Sequence, residues 1–277
     1  MLTIIQIMLA MRQKCSSPFS SNDWKTIPWT ITEKSTKDKL IDIMSSIPDI
    51  LAQVDLLAQV DLLTEASTQD AADGLREKIL QQCQKVEADL ARWRVHVDLS
   101  IYDYTITGLP LPMPQIDSDF SLLHLSCVYW SICLSLSCII GSISEDSMVE
   151  EASEDMLDPS YLEPQDQKSI GSPEKYASKI VNCAHLFFEP MAGAVQGGSG
   201  LFPMVCAWQF YELAAESSGE RSTELQTLYD LFDKSFMGNQ IGRYLAHLRK
   251  SMWRHDVDAH GARRVGLSRL KYWMAWF

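Results

Sequence analysis

The only side chains of metal-ligand type that gather in this sequence are His247, His255 and His260 with Asp256 and Asp258, close to its end. Imidazoles and carboxylates together can hold a divalent cation or relay a proton. His-Asp-Val-Asp-Ala-His reproduces no established ligand spacing, however, and no Glu stands beside the histidines as a base, so no metal is expected there. Gly197-Gly198-Ser199-Gly200 lacks the Gly-Lys-Ser/Thr ending of a phosphate loop and follows no strand pattern; it reads as a helix-to-helix loop. The nucleophile-elbow pattern Gly-x-Ser-x-Gly is absent, as is any Asp-rich motif for a metal-diphosphate. The seven cysteines, at 15, 83, 127, 133, 138, 183 and 206, include no Cys-x-x-Cys pair and lie mostly in apolar runs, where a thiol behaves as a small hydrophobe. No residue is assigned a catalytic, cofactor-binding or metal-binding role, and the expected protein is not an enzyme.

The elements that would carry any site are helical by pattern. Tyr176, Ile180, Ala184, Phe187 and Phe188 recur at helical steps up to Pro190, and Leu225, Leu228, Tyr229, Phe232 and Phe236 repeat the template. Between them Leu201 to Tyr211 is apolar on nearly every side and should be central, which makes 176–248 the stretch that organises the chain. Ser35-x-x-Asp38 signals a helix start before Leu40, Ile43, Met44 and Ile47. Leu75, Ile79, Cys83, Val86, Leu90, Trp93 and Val97 form one stripe of a long amphipathic helix, expected to pack within the chain. Gly108, Pro110, Pro112 and Pro114 break the connection after it.

Three stretches need a decision. Phe120 to Ile140 has no charged residue over 21 positions, about 31 Å of helix and enough to span a bilayer. Five serines and His124 interrupt it, and its flanks are acidic where a span would carry Lys or Arg, so a core helix is expected. The six residues Leu51 to Leu56 are repeated at once as Leu57 to Leu62; in one helix the copy is rotated by about two thirds of a turn, which demands either a helix buried on two sides or a loop. Met1 to Met11 lacks a basic start and a small-residue cleavage site, which favours an amphipathic helix, or the end of one begun upstream, over a signal peptide.

The net charge of -12 excludes a whole-chain affinity for nucleic acid, because phosphate binding needs an excess of Lys and Arg. Residues 143–173 are acidic, contain Ser and Pro, and have no apolar period, as expected of a flexible surface insertion. The organisation is then an N-terminal helical half, 1–142, the insertion, and a C-terminal half of the same domain, 174–277. With 46% hydrophobic residues the chain can bury a substantial core, and the expected fold is all-α and compact.

The order of short motifs resembles the C-terminal regulatory region of fungal transcription factors of the binuclear zinc-cluster class. Trp24 and Pro28-Trp29 precede Leu40-x-x-Ile43, and Leu90-x-x-Trp93 precedes Leu125-x-x-x-Tyr129-Trp130. Tyr176-Ala177-x-x-Ile180, Leu201-Phe202-Pro203, Ala207-Trp208-x-Phe210 and Ile241-Gly242-Arg243-Tyr244-Leu245 follow. Trp24 and Trp29 are expected to anchor an irregular segment to the core. In that family the helical region regulates and an upstream zinc cluster binds DNA; the six-cysteine cluster is absent from this sequence. The resemblance implies a nuclear, transcription-factor-like regulatory or protein-interaction module. Its partner would be an intact factor or co-regulator, in the context of a secondary-metabolite gene cluster, with no direct DNA or membrane contact. Two alternatives are a helical enzyme or small-molecule-binding protein with a core pocket, and a truncated relic whose apolar start was left by a cut inside a helical domain.

Overall fold

The computed structural model describes residues 2–61, 66–148, 171–234, 236 and 238–247, and among these there is no strand. Among the described residues these α-helices follow one another: α1 Leu2–Gln13, α2 Asn22–Thr26, α3 Thr36–Met44, α4 Ile47–Asp61, α5 Ala66–Arg94, α6 Tyr104–Thr107, α7 Asp117–Met148, α8 Pro173–Ala184, α9 Gly193–Ser199, α10 Leu201–Ser218 and α11 Thr223–Lys234. Residues 238–247 are helical as well. The fold is all-α.

The organising element is α7 rather than the later stretch 176–248. It packs against α8, α10, α5, α3 and α4. Its twelve residues 126–137 are all buried, over three turns and therefore on every side. This helix is long and apolar enough to cross a membrane, and 83% of its apolar window is buried inside the protein. Its serines fit that interior by bonding to their own helix. Ser126 Oγ donates to the Leu122 carbonyl at 2.9 Å, Ser131 Oγ to Cys127 at 2.8 Å and Ser135 Oγ to Ser131 at 2.9 Å, so three buried hydroxyls are satisfied without a partner helix.

Around α7 the amphipathic helices turn their stripes inward. Ser35 and Asp38 form a capping box at the start of α3, and Leu40 and Met44 are buried. On α5, Ile79, Cys83, Val86, Leu90 and Trp93 are buried against the core. Trp93 joins three elements: its ring stacks on Tyr129 of α7 with centroids 5.8 Å apart, and its Nε1 donates to the Thr36 carbonyl of α3 at 2.8 Å. In α10 the residues from Phe202 through Gln209 are buried, with Tyr211 and Glu212, so this segment is central as its composition requires.

The duplicated hexapeptide, as far as Asp61, lies in one continuous helix, α4, that is buried on one side only; Leu62 lies outside the described residues. Ile47, Ile50, Leu51, Val54 and Leu57 are buried while Leu56 is half exposed. At 100° per residue the buried set spans an arc of about 120°, with Leu51 at one edge and Leu57 at the other. The copy therefore uses the same face by entering it from the opposite edge, and the cost is one leucine left outside. The apolar start is not unpaired: Ile4, Ile7, Ala10 and Met11 of α1 are buried, and α1 packs on α3, α4 and α10.

Other expectations are corrected. Gly197 to Ser199 belongs to a helix, α9, rather than a loop, and Gly200 joins it directly to α10. The α-helical geometry of α8 stops at Ala184, where His185–Phe188 tighten into a 3-10 turn, but Phe187 is still buried and Phe188 still packs on the core. Phe236 is not on the buried stripe of α11 but 78% exposed beyond its end. Residues 143–148 continue α7, with Ile143 buried, so the acidic insertion cannot begin before 149; residues 149–170 lie outside the described residues. Trp24 and Trp29 do not reach the core. Trp24 packs edge-on against Phe19, centroids 4.7 Å apart, and it is Phe19 that touches the core.

Gly200 is required by packing. A Cβ there would lie 2.8 Å from Phe187 Cγ and 2.9 Å from Met204 Cε. Gly200→Ala is expected to lower stability by about 1–3 kcal/mol, as overpacking does, read as an earlier urea midpoint at unchanged slope.

Candidate functional site

Among the described residues, those with metal-ligand chemistry do not come together. His247 is exposed at the end of helical residues 238–247, whereas His255, His260, Asp256 and Asp258 lie outside the described residues. Among the described residues no group of three or more His, Cys, Asp or Glu could hold a metal. Five cysteines are buried, Cys138 is half-buried and Cys15 is exposed. Burial pushes the Cys83 and Cys133 thiols up to about 12 and raises Cys127 well above the ordinary range, with the neighbouring Cys183 thiol adding to it. Such thiols stay protonated near neutrality and act as packing groups.

The surface with the strongest functional character is the connection between α5 and α7. Gly108, at φ +62° in the left-handed region, caps the short α6 and accepts no side chain there without strain. At its far end the Asp119 carboxylate accepts from the backbone N–H of Gln115 at 2.9 Å and of Ile116 at 3.3 Å, fixing the entry to α7. Three prolines lie between these anchors, and Pro114 is buried.

The middle of the connection is held by a buried ion pair. Lys179 Nζ of α8 donates to Asp103 Oδ2 at 2.6 Å, and both side chains are under one tenth exposed. The other oxygen, Oδ1, accepts from the Thr105 backbone N–H at 3.2 Å and its hydroxyl at 2.6 Å, capping α6. Lys179 also lies 5.8 Å from the centroid of Trp130 on α7. Beside this pair Cys183 Sγ donates to the Tyr102 carbonyl at 3.4 Å, and Tyr102 is buried. A loop pinned through its centre to α8 has little freedom to collapse onto its own apolar residues.

Those residues consequently face water. Ile101, Tyr104, Ile106, Leu109, Met113 and Ile116 are all exposed, Ile106 at 58% and Leu109 at 65%. Scattered exposed apolar residues are ordinary; six on one rigid connection resemble the anchors of a protein interface. From the sequence alone this stretch reads only as a connection that cannot be helical throughout. The signal that could have found it is the recurrence of large apolar residues in a proline-rich segment without helical or strand period. The partnership of Asp103 with Lys179, 76 residues apart, has no sequence signal.

No protein-family model, no curated protein and no solved structure matches the chain.

Proposed function

We propose that this chain is a transcription-factor-like regulatory module that acts by binding another protein, through the apolar residues carried on the connection between α5 and α7. The observation that carries this reading is the pairing of six exposed apolar side chains with the buried Asp103–Lys179 clamp that holds their backbone in place. A preorganised apolar surface loses little entropy on binding, which favours a specific partner over indiscriminate adhesion. The all-α architecture and the order of the zinc-cluster-factor motifs support an intact factor of that class as the partner, in the nucleus and in the setting of a secondary-metabolite gene cluster. The motif residues also support one another physically, since Trp93 stacks on Tyr129 beside Trp130.

The test is co-precipitation of the full chain from the cells that express it, beside the double variant Ile106→Glu, Leu109→Glu. The wild type is expected to recover a protein containing a six-cysteine zinc cluster, and the variant to lose at least about 90% of it, since two desolvated carboxylates at an interface centre outweigh its apolar gain. Exposed substitutions of this kind change stability within about 0.5 kcal/mol each, so the melting temperature should hardly move. Equal recovery by both proteins would contradict the assignment of this surface.

A further inference from the structure

The apolar connection between α5 and α7 is also an electrostatic feature. No Lys or Arg occurs over residues 95–167, while Asp98, Asp117 and Asp119 flank the exposed apolar residues. Asp98 and Asp117 are exposed and Asp119 is half-buried, and none of the three forms an ion pair with a described residue. Most other exposed apolar residues stand beside cations instead: Ile5 and Leu9 share α1 with Arg12, Ile27 follows α2 and its Lys25, and Tyr244 follows Arg243. An apolar surface with an acidic rim is complementary to a ligand that is both apolar and basic.

The chain itself contains such a stretch in residues 263–277, outside the described residues. It holds Arg263, Arg264, Arg269 and Lys271 and no Asp or Glu. Interleaved with and following these cations are Leu267, Leu270, Trp273, Met274, Trp276 and Phe277, and Trp and Arg are the side chains most often found as interface anchors. The acidic stretch 150–166 would answer the cations, but its apolar residues are few and scattered and offer the tryptophans no surface. Reach is sufficient. Gly242 of the helical residues 238–247 lies against Phe232 of α11, α11 packs on α8, and α8 holds the connection through Lys179. That path crosses two helix spacings, about 20 Å, whereas residues 248–262 extend to at most about 50 Å.

We infer that residues 263–277 bind over the connection between α5 and α7 of their own chain, the tryptophans on Ile106, Met113 and Ile116 and the cations against Asp98, Asp117 and Asp119. The inference rests on the surface proposed for the partner and adds how that surface is regulated. Segment and partner compete for it, so the free chain keeps its apolar residues covered and a tighter-binding partner displaces the segment. Because the segment is tethered, its effective concentration is about millimolar, and a contact too weak to hold two separate molecules together suffices.

The experiment is photo-crosslinking of the purified full chain, with no partner present, carrying a benzophenone amino acid in place of Trp276. Cleavage before Asp releases residues 103–116 as one peptide, separate from those of the acidic stretch, and mass spectrometry locates the adduct. The expected major product is an adduct to 103–116 within one chain. Its yield should fall at least about threefold between about 0.05 M and about 0.5 M salt, and at least about fivefold when Ile106→Glu is added. Ile106 is exposed, so an unchanged thermal melt is expected and establishes that the variant is folded. A yield indifferent to salt overturns the role of the cations, and one indifferent to Ile106→Glu overturns the role of the apolar surface. An adduct to residues 149–170, an adduct between two chains, or no adduct overturns the inference as a whole. Those outcomes leave the partner surface standing, because co-precipitation is read with the partner present. Conversely, the expected adduct together with equal co-precipitation by wild type and variant would place the segment and contradict the partner.

Discussion

Replacing Lys179 with Met is expected to cost the fold about 3–5 kcal/mol, a large share of the roughly 5–15 kcal/mol that holds a domain together. The reason is the carboxylate left behind. Asp103 is buried and its Oδ2 accepts from Lys179 at 2.6 Å, so the variant removes the cation that answers a buried carboxylate, while the Thr105 bonds to its other oxygen remain. The double variant Lys179→Met, Asp103→Asn should recover part of the loss, because a neutral amide replaces the orphaned charge while the Thr105 contacts can persist. Urea denaturation of the three proteins at neutral pH reads both effects. A loss under about 1 kcal/mol for the single variant would mean that water reaches the pair and that it does not clamp the connection. Under the proposed function the clamp matters for binding too, since slack between Tyr102 and Leu109 would restore entropy that a partner must then remove.

Mild acid is expected to weaken the protein through His124. Its ring is buried on α7, its Nε2 has no hydrogen-bond partner among the described residues, and burial, with the Lys37 charge adding, lowers its pKa to about 4. Between the ordinary value near 6.5 and 4 the unfolded chain binds a proton that the folded chain refuses, so stability falls as pH drops through 6.5 and the loss levels off near 4. The loss between about pH 7 and about pH 4.5 amounts to about 2–3 kcal/mol. His124→Gln removes the titration while keeping a polar side chain of similar length. Carboxylates elsewhere contribute equally to both proteins, so the difference between their stability–pH curves isolates the imidazole. Parallel curves for the two proteins would contradict the buried, neutral His124.

Much of the fold was legible because it follows from local periodicity. The Ser35–Asp38 box, the single stripe of α5, the buried character of α10 and the uncharged α7 each report their environment through their own sequence. The choice between a core helix and a bilayer span for α7 turned on its acidic flanks and serines, and three of the five serines, Ser126, Ser131 and Ser135, proved to be satisfied within the helix itself, while Ser137 donates to the Gly171 carbonyl. What failed depended on neighbours. A short helix rich in glycine, α9, is held between a 3-10 turn and α10, which propensity alone does not favour. Trp24 finds Phe19 rather than the core, and Phe236 lies past the end of the helix whose stripe it extends on paper. The exposed apolar connection was invisible for the same reason, because its anchoring depends on an ion pair across 76 residues.

The most direct measurement of the central claim is photo-crosslinking in the cells that express the protein, with a benzophenone amino acid in place of Leu109 and the adduct identified by mass spectrometry. The account predicts a single major adduct to a protein that carries a six-cysteine zinc cluster, lost when Ile106→Glu is added. An adduct of equal yield from a position outside the connection, such as Gln81 on the exposed side of α5, would contradict it. So would a Leu109 adduct to a protein without a DNA-binding segment.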